Sequence, residues 1–304
     1  MRKNDGWREA TEDEPCPICG REHFCMIGRV SVLCTQLESP KPSKAGFGWW
    51  HSYPNSAERP TFIPKPKPPR ITDAELHAKW EPILKSCKGM VKVAELAAEL
   101  GVDHWSLEAL GFAWDSTQYI IPTRNHRGLI TGLDTRWKDG TKMVVPGSRR
   151  GLIYAKNWLD YTGPVLIVEG ASDAAAALTM RLCVLGRPSN IGGVELLTRM
   201  LGNVQRRIIV IAERDRKRHE DLSEMVRKQH DPACKGCLRC WPGMGGAKHT
   251  ANALWKRLGR RVDWAFVPAP AKDMRGWLNA QKINVNNERA CIRLGQSLLR
   301  RIRP

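Results

Sequence analysis

The stretch that decides the fold is Val165-Leu-Ile-Val-Glu169-Gly170-Ala-Ser-Asp173-Ala-Ala-Ala-Ala-Leu178, an apolar run that leads through a glycine into an alanine-rich segment. Four consecutive apolar residues are too few for a helix and are typical of a strand covered on both faces. Gly170 permits a sharp turn, and the alanines after it have high helix propensity. The stretch therefore predicts an α/β fold with Glu169 at the carboxyl end of a strand, where open sheets bind their ligands.

A second buried strand is predicted at 207–212, and the acids Glu213 and Asp215 follow it at once. If the two strands are neighbours, Glu169, Glu213 and Asp215 converge within a few ångströms. Such a cluster repels itself unless protons or divalent cations neutralise it, so we predict that it holds Mg²⁺ or Mn²⁺ for phosphate chemistry. Asp173, in the first turn of its helix, is either a further metal ligand or a structural cap.

This combination resembles the TOPRIM domain of primases and topoisomerases, whose signature is a glutamate-glycine pair after one strand and two acids separated by one residue after a later strand. The resemblance covers residues 161–280 and includes the loop at 185–193. The first acid of the pair is normally aspartate in the family, whereas this chain has Glu213. The resemblance implies a Rossmann-like catalytic lobe in which Glu169, Glu213 and Asp215 are catalytic.

The region before this lobe is predicted to be helical over 71–113 and to form short strands at 119–122, 128–136 and 141–145. It resembles the amino-terminal half of the RNA-polymerase domain in phage and plasmid primases, related to the primase half of short-tailed phage primase-helicases. That resemblance implies a mixed α+β lobe that presents basic residues to nucleotide and template. The nucleotide- and template-binding residues that it implies are Arg136, Lys138, Lys142, Lys272 and Asp273. Ordinary solvent-facing positions are the alternative for the basic residues of the sheet, and helix capping is the alternative for Asp273.

The amino-terminal segment carries a cysteine pattern, Cys16-Pro-Ile-Cys19-Gly-Arg-Glu-His23-Phe-Cys25, with Cys34 beyond an expected hairpin. Zn²⁺ prefers tetrahedral sulfur and nitrogen ligands, and a Cys-x-x-Cys turn presents two thiolates together. We therefore predict a small zinc-ribbon module whose ligands are Cys16, Cys19, Cys25 and Cys34. His23 could take the place of Cys25.

A second cysteine group, Cys234, Cys237 and Cys240, lies in an expected insertion of the TOPRIM lobe at about 219–242. Three thiols at such spacing require a fourth ligand, and His230 could complete a second zinc site. A metal-free loop that contains cysteines is the alternative.

Composition favours a polyanionic partner, because the 304 residues carry a formal charge of +18 and the sequence pI is about 9.8. The first residues are charged, without the apolar core of a secretory signal, so we expect a cytoplasmic protein with no membrane partner. The expected domains are a zinc module at 1–53, a proline-rich linker at 54–70, the mixed lobe at 71–160 and the TOPRIM lobe at 161–304.

Taken together, the resemblances imply a DNA primase that makes short RNA primers on single-stranded DNA from ribonucleoside triphosphates, with Zn²⁺ and Mg²⁺ or Mn²⁺ as cofactors. The glycine-rich run at 243–250 lacks the Gly-Lys-Ser/Thr ending of a phosphate loop, so a separate replicative helicase is expected to supply unwinding. A TOPRIM nuclease that cleaves DNA and a non-catalytic zinc-containing DNA-binding protein are the alternatives.

Overall fold

The computed structural model describes residues 7–43, 48–52, 71–87, 89–161, 163–218, 220 and 233–302. The chain divides into two compact units, Met1–Arg70 and Ile71–Pro304. The expected linker at 54–70, His230 and much of the expected insertion lie outside the described residues. Within the described ranges, no helix has both the length and the apolar character that a membrane span requires.

The first unit contains a small antiparallel sheet in the order β1-β2-β3-β4. Its strands are β1 (Arg8–Glu9), β2 (Met26–Ile27), β3 (Ser31–Cys34) and β4 (Trp49–Ser52). The hairpin expected before Cys34 is formed by β2 and β3. Among its described residues, the buried core contains few apolar side chains besides the cysteines, and small units of this kind are usually stabilised by a metal or a crosslink.

The second unit begins with three helices and a second antiparallel sheet. They are α1 (Asp73–Ser86), α2 (Met90–Leu100), α3 (His104–Leu110), β5 (Ala113–Trp114), β6 (Tyr119–Arg124), β7 (Ile130–Arg136) and β8 (Lys142–Val144). Helix α1 starts at a capping box made by Thr72 and Glu75, and its Leu76 and Trp80 pack on the sheet. The predicted mixed α+β region is confirmed.

A four-stranded parallel sheet in the order β10-β9-β11-β12 follows. Its strands are β9 (Val165–Glu169), β10 (Val184–Arg187), β11 (Ile208–Ala212) and β12 (Asp263–Phe266), and the helices around it are α4 (Gly170–Thr179), α5 (Val194–Leu201), α6 (Pro242–Leu258), α7 (Met274–Ala280) and α8 (Glu288–Arg301). The α/β fold class is confirmed, and β9 and β11 are neighbours, as the acid positions require.

Both faces of this sheet are buried, which explains why β9 is continuously apolar. Leu166 and Val168 belong to the core shared with α2, α3 and α4, whereas Val165 and Ile167 belong to the core shared with α5 and α6. Two short bridges, between Arg124 and Leu152 and between Ile153 and Gly186, connect the antiparallel sheet to the β10 edge of the parallel sheet. The two sheets are therefore held beside each other within one unit.

Candidate catalytic cleft and metal sites

A cleft of about 420 Å³ lies where the carboxyl ends of the parallel strands meet the antiparallel sheet. Glu169, Asp173 and Glu213 line it from the parallel sheet, and Arg136 and Lys142 line it from the antiparallel sheet. Further charged residues of the lining are Asp134, Arg150, Lys272, Asp273 and Arg275. The acids predicted at the ends of the parallel strands and two of the basic residues predicted on the antiparallel strands therefore line the same cavity.

Glu169 is the last residue of β9 and directly precedes α4. The turn depends on Gly170, whose φ of 77° is strained for other residues even though no atom obstructs a side chain there. Burial raises the pKa of Glu169, and the charges of Glu213 and Asp215 raise it further, against the lowering effect of Arg187. One Arg187 nitrogen lies 3.6 Å from a Glu169 oxygen.

The acidic loop, Glu213–Asp215, follows β11 directly and is held by a lysine and a helix. The amine of Lys272 lies 3.3 Å from a Glu213 oxygen and 3.2 Å from an Asp215 oxygen. The backbone N–H of Gly243, in the first turn of α6, donates to Asp215 Oδ2 at 3.1 Å. Burial raises the pKa of Glu213 despite the opposing charge of Lys272.

The carboxylates share an edge of the sheet but do not form a tight cluster. In the described part of the chain, two groups of three or more side chains bring their possible metal ligands within 4.8 Å of one another. Both groups consist of cysteines, so the carboxylates form no such group there. The expected convergence within a few ångströms is thus not reached, and Lys272 supplies positive charge between Glu213 and Asp215. The carboxylate oxygens still fit Mg²⁺ or Mn²⁺, which prefer oxygen ligands, and burial followed by the neighbouring negative charges raises the pKa values of Glu169 and Glu213.

Asp173 and Asp273 both hold the start of α7. Asp173 is only 4% exposed and accepts a hydrogen bond of 3.1 Å from the Arg275 backbone N–H, so it caps α7 rather than its own helix. Burial and the charge of Asp273 raise the pKa of Asp173 to about 7. Asp273 accepts from the Gly276 N–H at 2.7 Å, which is the capping role given above as its alternative.

Of the basic residues implied by the resemblance, Arg136, Lys142 and Lys272 line the cleft and Lys138 does not. Lys138 lies over the ring of Trp114, 5.5 Å from its centroid. Lys142 is exposed on β8, but partial loss of water around its amine in the cleft, together with the positive charge of Arg136, lowers its pKa. Positive charge therefore lies on the wall opposite the acids, at Arg136 and Lys142, and also beside the acids, at Lys272.

The sequence reasoning missed Arg150 and Arg275, which line the cleft, and two further charged residues that have buried atoms without a hydrogen-bond partner among the described residues. Arg187, at the end of β10, is fully buried, and only its Nη1 has a hydrogen-bond partner among the described residues, the Thr250 hydroxyl at 3.2 Å. Asp134 of β7 has a buried Oδ1 without such a partner, and burial raises its pKa. Each could have been recognised in the sequence as a charged residue in an apolar segment: Arg187 at the end of one and Asp134 inside one.

The first cysteine cluster brings together the sulfurs of Cys16, Cys19, Cys25 and Cys34 within 4.8 Å of one another. Backbone N–H groups donate to two of the sulfurs, from Thr35 to Cys25 at 3.4 Å and from Leu37 to Cys34 at 3.3 Å. Four thiols with amide donors around them fit the donor set of a structural zinc. Cys25 rather than His23 completes this group, since the His23 ring instead packs against Phe24.

The second cluster comprises Cys234, Cys237 and Cys240, whose sulfurs also lie within 4.8 Å of one another. Its expected fourth ligand, His230, lies outside the described residues. The glycine-rich run that follows forms the beginning of α6 and packs against other segments. A Cβ on Gly243 would lie 2.5 Å from the Glu213 carbonyl oxygen, so the glycine permits the helix to approach the acidic loop.

This chain is similar to solved structures of primases. With a DnaG primase catalytic domain bound to single-stranded DNA it shares 12% identity over 72% of this chain and 78% of that chain, with a TM-score of 0.49. With the zinc-binding and RNA-polymerase domains of the Aquifex aeolicus primase it shares 13% identity over 76% of this chain and 64% of that chain, with a TM-score of 0.49. With the primase fragment of the bacteriophage T7 primase-helicase protein it shares 12% identity over 92% of this chain and 97% of that chain, with a TM-score of 0.38. No family model and no curated protein matches the chain, so its function must be inferred from its own residues.

Proposed function

We propose that this protein is a DNA primase that synthesises short RNA primers on single-stranded DNA by metal-dependent nucleotidyl transfer. The observation that carries the proposal is the cleft in which Glu169 and Glu213 face Arg136 and Lys142. Carboxylate oxygens are ligands that Mg²⁺ and Mn²⁺ prefer, and clustered cations bind triphosphates. The volume of about 420 Å³ lies in the usual range for small-molecule sites.

The residues that would hold Mg²⁺ or Mn²⁺ are Glu169, Glu213 and Asp173, which line the cleft, and Asp215, which lines the neighbouring pocket beside Trp241. When bound, the metal neutralises charge and aligns a nucleotide 3′ oxygen with the α-phosphate of the incoming ribonucleotide. Glu213 is one methylene longer than the aspartate that is usual in the TOPRIM family, so we expect its carboxylate to reach further into the cleft.

The cations would orient the triphosphate. Arg136, whose Nη2 pairs with Glu99 at 2.9 Å, would donate to phosphate oxygens from its other terminal nitrogen, and Lys142 and Lys272 would act as point charges. Lys272 already contacts Glu213 at 3.3 Å, so a phosphate that enters the cleft meets an amine beside the acidic loop. These groups hold the reactants in position and neutralise charge, which are the main contributions of a protein to phosphoryl-type transfer.

The remaining parts of the chain would serve the template. The formal charge of +18 attracts a phosphate backbone without reading its sequence. The zinc unit would help to select the template and hold the new primer, and a separate replicative helicase would supply single strands. A nuclease would use the same carboxylates, whereas a DNA-binding protein would need none of them, so one assay separates these functions.

The test is RNA synthesis on single-stranded DNA of mixed sequence with labelled ribonucleotides and Mg²⁺ or Mn²⁺, resolved on a denaturing gel. The parent is compared with Glu169→Gln and with Glu195→Gln, a control on α5 whose carboxylate is exposed and pairs with Arg199. Short RNAs from the parent and from Glu195→Gln, reduced roughly 100-fold or more in Glu169→Gln, support a primase.

Two results would contradict the proposal. Cleavage of the template without synthesis would assign the acids to a nuclease. Intact template without product would leave a binding protein, because a single-stranded template requires no unwinding partner.

A further inference from the structure

We propose that Cys234, Cys237 and Cys240 bind a zinc ion that holds the start of helix α6 against the acidic loop. The three sulfurs lie within 4.8 Å of one another, in a different unit from the Cys16 cluster. Zinc–sulfur bonds of about 2.3 Å in a tetrahedral site separate sulfurs by about 3.8 Å, so shifts of about 1 Å would close the site. The proposal does not depend on primer synthesis.

Backbone N–H groups of the cysteine turn donate hydrogen bonds to two of its sulfurs. The Cys237 N–H donates to Cys234 Sγ at 3.3 Å, and the Cys240 N–H donates to Cys237 Sγ, also at 3.3 Å. Amide donors directed at sulfur favour the thiolate form that binds metal. No disulfide joins any of the chain's ten cysteines, all of which lie in the described ranges, so the three sulfurs are thiols.

The chemistry of the donors selects the metal. Thiolates are soft ligands that favour Zn²⁺, whereas the carboxylates of the cleft favour Mg²⁺ or Mn²⁺. Exposed Lys235 and Arg239 lie in the same turn and would offset the net negative charge of three thiolates around one dication. The two kinds of metal would therefore bind at neighbouring sites without competing.

The cysteine turn is joined tightly to helix α6. Cys240 is buried and is followed directly by Trp241, whose indole N–H donates to the Cys234 carbonyl at 2.8 Å. A Cβ on Gly245 would lie 2.5 Å from the Leu238 Cα, so the first turn of the helix packs on the cysteine turn with no space for a side chain. A metal that fixes the turn would fix the start of the helix as well.

The same helix start holds the acidic loop. The Arg218 N–H donates to the Cys240 carbonyl at 2.8 Å, and the Gly243 N–H donates to Asp215 Oδ2 at 3.1 Å. Only Trp241 and Pro242 separate the buried cysteine from the glycine that contacts Asp215. The zinc would thus act as a brace for the position of that carboxylate.

The test begins with zinc content, measured by plasma mass spectrometry on the full chain purified without chelator. We expect two zinc ions per chain in the parent and one in Cys237→Ser. A matched control, Cys87→Ser, changes the residue that follows α1, whose thiol donates to the Ile83 carbonyl of that helix at 3.2 Å, and should retain two zinc ions. Amide exchange across 242–247 should be at least tenfold faster in Cys237→Ser than in Cys87→Ser.

One zinc in the parent, iron in place of zinc, or two zinc ions in Cys237→Ser would overturn the metal site. Unchanged exchange across 242–247 would overturn the brace. If Cys237→Ser does not fold, the parent substituted with Co²⁺ still decides the matter. Its sulfur-to-cobalt charge-transfer absorption should correspond to seven thiolates, and an intensity that fits the four of the first cluster alone would refute the second site.

Discussion

Replacing Gly243 with alanine would separate helix α6 from the acidic loop. The added Cβ would lie 2.5 Å from the Glu213 carbonyl oxygen and 2.9 Å from Asp215 Oδ2, where ordinary contact begins at 3.4 Å. The obstructing oxygen belongs to the backbone, so the two segments must move apart by about 0.9 Å. We expect overpacking to cost about 1–3 kcal/mol of unfolding free energy.

The same shift should reduce primer synthesis. It acts on the hydrogen bond between the Gly243 N–H and Asp215, and a displacement of about 1 Å in a catalytic group costs on the order of 100-fold in rate. The assay is the initial rate of ribonucleotide incorporation at saturating Mg²⁺, with urea unfolding of the same preparations.

The matched control is Gly202→Ala, at the end of α5. Gly202 has helical backbone angles, and a Cβ there would meet its nearest atom at 3.6 Å, so we expect stability to rise by about 0.4–1 kcal/mol with no change in rate. Equal incorporation rates in Gly243→Ala, Gly202→Ala and the parent would refute the idea that α6 positions Asp215.

Three further outcomes follow from other contacts. Arg187→Met should lower the unfolding free energy by up to about 3 kcal/mol, because it leaves the half-buried Glu169 carboxylate without its cationic neighbour, while incorporation falls through the loss of charge beside Glu169; an unchanged unfolding free energy would contradict this. Burial raises the pKa of Asp263, but hydrogen bonds from Arg207 and Arg261 lower it below its ordinary 3.8. Its stabilisation is therefore complete well above that value and is lost as the pH falls through the folded-state pKa, so Asp263→Asn should weaken the acid dependence of urea unfolding between about pH 5 and 2. Cys25→Ser should lose one zinc per chain and His23→Ala none, and the reverse result would assign the histidine as the ligand.

The parts of the fold that the sequence predicts are those with a strong local pattern. Strands β9 and β11 are continuous apolar runs, and α2 has apolar residues at helical spacing with Gly101 after its end. Strands β10 and β12 escape prediction because each has only four residues, and β10 contains Gly186 and ends in an arginine. Their strand conformation is determined by pairing with β9 and β11, a tertiary effect that a single segment does not reveal.

The residues of the candidate site also differ in how far the sequence predicts them. The positions of Glu169 and Glu213 follow from the rule that parallel strands present their carboxyl ends at one edge. The partners of the acids come from distant segments: Arg187 of β10 contacts Glu169, Lys272 from the loop before α7 contacts Glu213, and Gly243 of α6 donates to Asp215. Because such contacts arise only when the chain folds, the sequence predicts the acids but not the groups that hold them.

The most direct test of the central claim is ribonucleotide incorporation on single-stranded DNA as Mn²⁺ is titrated, for the parent, Glu213→Gln and Glu213→Asp. If the carboxylates bind the catalytic metal, the parent and Glu213→Asp will make primers, whereas Glu213→Gln will require more Mn²⁺ and incorporate far less. Equal incorporation by Glu213→Gln and the parent at every metal concentration would contradict the account.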